Sequence, residues 1–402
     1  MDEAAVLERL REVEDPDLGG DLVSLGLVND VSVEDGTVAV DLALGAPYSP
    51  TETALAGQVD DALADEGLEV ELSASVPGRD DVSGPEAVLP GVKNVIAVAS
   101  GKGGVGKSTV AVNLAAGLAA RGARVGLFDA DIYGPNVPRM VDADEPPMAT
   151  AEETLVPPEK YGVKLMSMAF LVGEDDPVIW RGPMVHKVIT QLTEDVEWGH
   201  LDYLVVDLPP GTGDTQLTML QTMPVTGAVI VTTPQEVALD DARKGLEMFA
   251  RHDTVVLGIA ENMATFVCED CGSHHDIFGA GGGEAFADVH EMPFLGSIPL
   301  DPRVREGGDS GEPAVLDEAG GTGEALRELA RKVADNVGVV HRQAVSAGGE
   351  GASDGDAVEE IPGQDVDDGG VGIPSEEETP RGGLDVDYGS DDPVPDGGDR
   401  QE

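Results

Sequence analysis

"VIAVASGKGGVGKSTVAVNL" occupies residues 95–114. An apolar, β-branched run leads into a glycine-rich turn, and a small-residue helical pattern follows. Gly101 to Ser108 reads G-x-x-x-x-G-K-S, the pattern of a phosphate-binding loop. Its chemistry needs glycines because backbone N–H groups must converge on phosphate oxygens, with a helix N-terminus behind them. The loop residues are Gly101, Lys102, Gly103, Gly104, Val105, Gly106, Lys107, Ser108 and Thr109. Lys107 is expected to reach the outer phosphates and Ser108 to ligate Mg²⁺. Lys102 is a second lysine in a loop that needs one, in a chain with only eight lysines.

Outward from this stretch, strand-like and helical segments alternate from residue 92 to 341. "NVIAVAS", "RVGLFDAD", "VKLMSMAF", "DYLVVDL", "GAVIVTT", "VVLGIA" and "PFLGSIP" are nearly apolar throughout, as strands covered on both faces are. "KSTVAVNLAAGLAARG" and "DDARKGLEMFARH" read as helices between them. The alternation predicts an α/β fold with a doubly wound, mostly parallel sheet, that is, a P-loop NTPase. Nucleotide sites in such sheets lie at strand C-terminal ends. Asp207, ending the apolar run within "DYLVVDL", fits a magnesium-associated carboxylate, and "FDADIYGP" offers Asp129 and Asp131. A last helix from Thr322 to Val337 carries an apolar face suited to packing on the same domain.

Residues 1–76 predict a separate small α/β domain. Val6, Leu7, Leu10 and Val13 fall at helical spacing, and "LVNDVSV" and "TVAVDLAL" form a hairpin about Asp35-Gly36. A second helix over 50–67, capped by Ser49 or Thr51, and a third strand in "LEVELSASV" complete it. Residues 77–91 are Pro-, Gly- and Asp-rich and read as a linker. Residues 342–402 carry few apolar side chains and read as a disordered acidic tail.

Charge bounds the function further. The chain has 402 residues, 78 Asp+Glu against 24 Lys+Arg, and a formal net charge of −54. The segment from residue 348 holds 18 acidic and 2 basic residues, net −16, so −38 remains on the first 347. The excess is therefore not a tail effect. At molar salt the Debye length is about 3 Å and such self-repulsion is screened. Acidic, lysine-poor and aromatic-poor composition resembles that of proteins from salt-in halophilic archaea. Polyanions such as nucleic acid and anionic lipid are unfavourable partners. The start Met1-Asp2-Glu3 has the wrong charge for a signal peptide, and no apolar run approaches a membrane span. A cytoplasmic protein is expected, with neither nucleic acid nor membrane among its partners.

The motifs together resemble a known class. "SGKGGVGKST" is similar to the deviant Walker A motif of dimeric ATPases, which include septum-site and plasmid-partition ATPases. Within that class, "DADIYGPNVPRM", "VVDLPPGTGDTQLTM", "TTPQEVALDDARK", "ENMATFVCEDCG" and "LGSIPLDPRVREGGDSG" resemble, in order, the Mrp/ApbC family of iron–sulfur carrier ATPases. The resemblance implies ATP and Mg²⁺ as cofactors, a homodimer, and apo iron–sulfur proteins and assembly factors as partners. It implies that Lys102 crosses to the partner's nucleotide, that Asp131 positions the attacking water, and that Asn262 reads the adenine beside Pro299. "EDPDLGGDLVSLGLVNDVSV" resembles the small domain fused in front of such ATPases. The cysteine many relatives carry after the second strand has no counterpart in "LALGAPYSPTE", so this domain reads as an interaction or regulatory module.

Cys268 and Cys271 form a C-x-x-C and are the chain's two cysteines. Two thiolates do not complete a tetrahedral or cubane site. A symmetric dimer supplies four, which fits the bridging 4Fe–4S cluster that the resemblance implies. Zinc completed by His274 or His275, a redox dithiol, and two inert thiols are the other readings. Three functions follow: a cluster-carrying ATPase, a partition- or septum-type organiser with a zinc or redox C-x-x-C, and a non-enzymatic scaffold.

Overall fold

The computed structural model describes residues 2–349, apart from 35, 65–68, 77–87, 133, 144, 152–153, 172–181, 269–270, 272 and 319. The chain opens with α1 (Glu3–Leu10), β1 (Val28–Glu34), β2 (Thr37–Leu42), α2 (Pro50–Leu63) and β3 (Glu69–Ala74). β1 and β2 pair antiparallel, with Glu34 opposite Thr37, as the Asp35-Gly36 turn signal predicts; β3 adds parallel to β2. Leu10, Leu27, Val40, Leu55 and Val59 fill the core between this sheet and its helices. Asp2 caps α1 through Ala5 N, and Ser49 caps α2 through Glu52 N.

The larger part begins with β4 (Val95–Ala99), α3 (Lys107–Ala120), β5 (Val125–Asp129) and α4 (Val137–Met140). The short pair β6 (Met148–Ala149) and β7 (Leu155–Val156) follows, then β8 (Glu159–Lys160) and β9 (Val163–Ser167). Next come α5 (Gly182–Glu194), β10 (Tyr203–Asp207), α6 (Asp214–Thr222), β11 (Gly227–Thr232) and α7 (Glu236–Arg251). β12 (Val256–Val267), β13 (His274–His275), α8 (Gly282–Val289), β14 (Phe294–Leu300), α9 (Pro302–Ser310) and α10 (Gly321–Gly349) close the described chain. The sheet runs β13-β12-β11-β4-β10-β5-β9-β8, with β14 also on β12. β4, β5, β9, β10, β11, β12 and β14 are mutually parallel; β8 and β13 are the antiparallel additions. All seven apolar runs singled out in the sequence are these parallel strands.

The two faces of the sheet are covered separately. Residues of α3 and α10 pack with Val98, Val205 and Val229 on one side. Ile189, Met219, Phe249 and Phe286 from α5, α6, α7 and α8 cover the other. α3 is buried on nearly all sides because it lies between the sheet and α10. Gly117 permits that approach: a Cβ there would sit 3.1 Å from both Ala330 and Val315 side chains.

α10 corrects one expectation. The composition places a disordered tail from residue 342, yet the helix continues through Gly349 and Arg342 is fully buried. The anchor is mainly charge, with Val345 as an apolar contact to the N-terminal core, which is why hydrophobic periodicity does not reveal it. Arg342 lies 2.6 Å from Asp15, 2.6 Å from Asp17 and 3.2 Å from Glu52, all in the small N-terminal domain. The Asp15 contact is an ion pair without hydrogen-bond alignment. Burial raises the pKa of Glu52, opposed by the Gly45 and Ala46 amides and by Arg342. Nearby, Asp335 of α10 accepts from Ser49 Oγ and Thr51 N at the start of α2. Asn94 donates to the Gly45 carbonyl and contacts His341 Nε2 at 2.7 Å. Removing one partner of a buried ion cluster strands the others, so Arg342→Met should cost about 3–5 kcal/mol. Denaturant unfolding in concentrated KCl measures it; an unchanged midpoint would show that the anchor is dispensable. The remainder of the 342–402 tail and residues 77–87 of the 77–91 linker lie outside the described residues.

Candidate functional site

β4 delivers the chain into the loop at the C-terminal edge of the sheet. Gly104 and Gly106 have φ of 83° and 85°, a left-handed region in which a side chain is strained. Gly101 is required for a different reason: a Cβ there would lie 2.3 Å from the Asp241 backbone of α7. Gly106 caps α3 without a side-chain hydrogen bond, so the first helical amides remain available to an anion.

The sheet brings three carboxylates to this edge. Asp207 ends β10 and pairs in register with Asp129 at the end of β5; Ser167 of β9 is next in the same row. Asp207 is fully buried and its Oδ1 lies 2.5 Å from Lys107 Nζ, which is also 3.4 Å from Ser108 Oγ. Burial raises the Asp207 pKa, the Lys107 ammonium and Ser108 hydroxyl oppose that, and the charge of Asp131 adds to it. Its Oδ2 is buried without a hydrogen bond of ordinary length. Asp129 accepts from Asp131 N, Val137 N and Ser167 Oγ. Burial and the neighbouring Asp207 charge nevertheless push its pKa up to about 7. Asp131 is largely buried and accepts from Gly134 N at 3.2 Å. A buried carboxylate oxygen without a hydrogen bond, beside the Ser108 hydroxyl at the loop, is the kind of oxygen arrangement that suits a hard cation. Ser108 and Asp207 are residues that could hold Mg²⁺.

Lys102 stands apart. Its carbonyl accepts from Ser100 Oγ, while its ammonium has no hydrogen-bond or ion-pair partner among the described residues. The two loop lysines thus differ: Lys107 is paired with Asp207, and the Lys102 ammonium has no such partner among the described residues.

Asn262 is buried on β12 and donates from Nδ2 to the Val105 carbonyl at 2.8 Å, which places it against the loop. Six positions further on, the same strand reaches Cys268. Phe266 pairs with His275 and Val267 with His274, so β12 and β13 form a hairpin at the edge of the sheet. Cys268 is half-buried and Cys271 exposed; neither is in a disulfide. Ser273 joins them: its carbonyl accepts from Cys268 N, and its hydroxyl lies 3.2 Å from Cys271 Sγ. The Ser273 hydroxyl, then its amide and Cys268, lower the Cys271 thiol pKa, which favours thiolate. Ser273 carries no motif signal and sequence reasoning misses it. His274 and His275 are exposed on β13, and no group of three or more His, Cys, Asp or Glu among the described residues could hold a metal.

Comparison with known proteins places the chain in a family. A family model described as NUBPL iron-transfer P-loop NTPase matches residues 91–335, and one described as iron–sulfur cluster assembly protein matches residues 3–76. An iron–sulfur cluster carrier protein of Synechocystis sp. is 46% identical over 343 residues, covering 83% of this chain and 97% of that one. The Escherichia coli K12 protein of the same name is 42% identical over 337 residues, covering 82% and 91%. A nucleotide-binding protein in complex with ADP from Archaeoglobus fulgidus superposes with a TM-score of 0.51 at 38% identity, over 58% of this chain and 91% of that one. With its loop, carboxylates and cysteine pair in these positions, the chain belongs to the Mrp/ApbC-type family of iron–sulfur cluster carrier P-loop NTPases.

Proposed function

We propose that the protein is a dimeric ATPase that holds a 4Fe–4S cluster as cargo between two subunits and passes it to apo-proteins. The observation that carries this reading is the pair of half-buried Cys268 and exposed Cys271 at the end of a hairpin whose strand also touches the phosphate loop. The loop amides and Lys107 bind the phosphates, and Asp131 orients the water that attacks. Asn262, held at the loop's edge by its hydrogen bond to Val105, would read the base. Bound Mg²⁺ supplies charge compensation for the outer phosphates. Transfer of reconstituted cluster to an apo iron–sulfur acceptor, with and without ATP, tests the reading. An acceptor left without iron in both conditions would overturn it.

The organiser reading finds no support. The apolar face of α10, including Leu326, Leu329, Val333 and Val337, is buried against the rest of the fold and not offered to a membrane. No helix among the described residues is long and apolar enough to cross one.

The charge points to a salt-rich cytoplasm, as in a halophilic archaeon. Each added proton acceptor on a surface already at −38 raises self-repulsion, and salt screens it. Thermal midpoints should rise steeply from dilute to molar KCl. Truncation after Gly349 should leave most of that dependence in place, because the truncated chain keeps the larger share of the charge. A midpoint indifferent to salt would sink the halophile reading.

A further inference from the structure

We propose that Asn262 and Met263 position the cysteine hairpin according to the state of the phosphate loop, so that nucleotide binding resets the Cys268–Cys271 pair through β12. This rests on the proposed nucleotide and cluster roles and adds the route between them. β12 is held firmly on its sheet side. Glu261 is buried, accepts from Gly283 N at the start of α8 at 2.5 Å, and accepts from Ser297 Oγ of β14 at 3.1 Å. The next residue, Asn262, is tied to the Val105 carbonyl. A Cβ on Gly106 would fall 2.1 Å from Asn262 Nδ2 and 3.7 Å from Met263 Cε, so both side chains press on the loop. Met263 has φ of 57°, a left-handed backbone in the middle of a strand. There too the β12–β14 register shifts, between Asn262 and Phe266.

β12 shifts register against its neighbours at Val256–Gly258, at Ile259–Ala260 and at Asn262–Phe266. The last shift falls where it touches the loop, and beyond it Phe266, paired with Leu300 of β14, begins the arm that leads to Cys268. Thr265 Oγ1 donates to Asp276, and the two ladder pairs to β13 make this arm one unit. Phosphates bind through the loop amides, and the Val105 carbonyl shares its peptide unit with the Gly106 amide, so the coupling invokes a shift of that unit on binding. Any such shift changes the acceptor that Asn262 holds. The clamped Glu261 blocks motion on one side, so the displacement passes through the Met263 break to the arm. A bent, off-register strand at a contact point is the kind of local irregularity that re-aims side chains.

The test reads thiol chemistry rather than turnover. The full, cluster-free, reduced chain is labelled with a maleimide in the presence or absence of saturating Mg²⁺ and a non-hydrolysable ATP analogue. Affinity is followed with a fluorescent nucleotide, and dimer content by light scattering, in the same samples. The labelling rate of Cys271 should change by about fivefold or more on nucleotide binding, within the usual span of site-to-site coupling. Asn262→Asp, which loses the donor at nearly constant shape, and Met263→Gly, which relaxes the left-handed backbone and removes the contact with Gly106, should each shrink that change at saturating nucleotide. Circular dichroism checks that both fold, and two independent variants guard against the loss of either. If the unaltered chain binds nucleotide but its thiols do not respond, the coupling is overturned and the nucleotide reading stands. If it binds no nucleotide, both fall. If a variant that binds nucleotide and dimerises normally keeps the full response, this route is wrong.

Discussion

Lys102→Ala should bind ATP and hydrolyse it about 10³-fold or more slowly, the range lost when a cation supplied in trans to a phosphoryl transfer is removed. Lys107→Ala should instead lose nucleotide binding. The separation follows from where the two ammonium groups are anchored. Lys107 stands on the first turn of α3, 2.5 Å from Asp207 of its own chain, within the bed that cradles phosphate. Removing it also leaves the buried Asp207 without its counter-charge, which compounds the loss. Lys102 precedes the glycine turn, and its ammonium engages nothing among the described residues, so truncation disturbs neither the fold nor the loop. Mixing the variants reads the geometry. A heterodimer of Lys102→Ala with Lys107→Ala has one chain that holds ATP and a partner with an intact Lys102. One composite site should therefore hydrolyse. If heterodimers form and no activity returns, Lys102 does not act across the dimer.

The parts legible in the sequence are those where chemistry or burial leaves few choices. Strands covered on both faces must be apolar throughout, so β4, β5, β10 and β11 announce themselves. The phosphate loop is legible because close approach to phosphate and to the Asp241 backbone excludes side chains from fixed positions. Asp129 and Asp207 stand out as charges ending apolar runs, and their in-register pairing follows from adjacent parallel strands. What escapes is long-range and polar. The Lys107–Asp207 pair spans 100 positions, and no periodicity encodes it. The outer half of β12 is hidden because Asn262 and the left-handed Met263 interrupt the apolar alternation that marks a strand. The end of α10 is hidden because a buried arginine, rather than a leucine, anchors it. Composition reads such a segment as solvated; only the acidic residues at positions 15, 17 and 52 make its burial favourable.

Cys268→Ala should remove the cluster altogether, while the unaltered protein, reconstituted anaerobically with iron and sulfide, should be a dimer carrying about four iron and four sulfide. The ligand count drives this expectation. Each chain offers two thiols at one hairpin tip, and among the described residues no group of three or more His, Cys, Asp or Glu gathers into a metal site. A cubane needs about four protein ligands, so one hairpin is half a site and a second copy completes it. Cys271 is exposed, with its thiol pKa lowered by Ser273, and so is available as a thiolate ligand at the surface. Loss of one ligand per chain leaves two in the dimer, too few to retain the cluster, so the effect is all-or-none rather than graded. Nucleotide affinity should remain close to that of the unaltered chain, because the phosphate bed is built from β4, α3, β5 and β10, none of which contains a cysteine. Iron, sulfide and zinc assays on both proteins, with visible absorbance and light scattering, give the answer. Stoichiometric zinc without iron would assign the pair to a structural metal, and a full cluster on a monomer would remove the two-fold arrangement. A dimer that loses its iron, its visible absorbance and its capacity to load an acceptor together on Cys268→Ala, while still binding ATP, places the cargo between the hairpins.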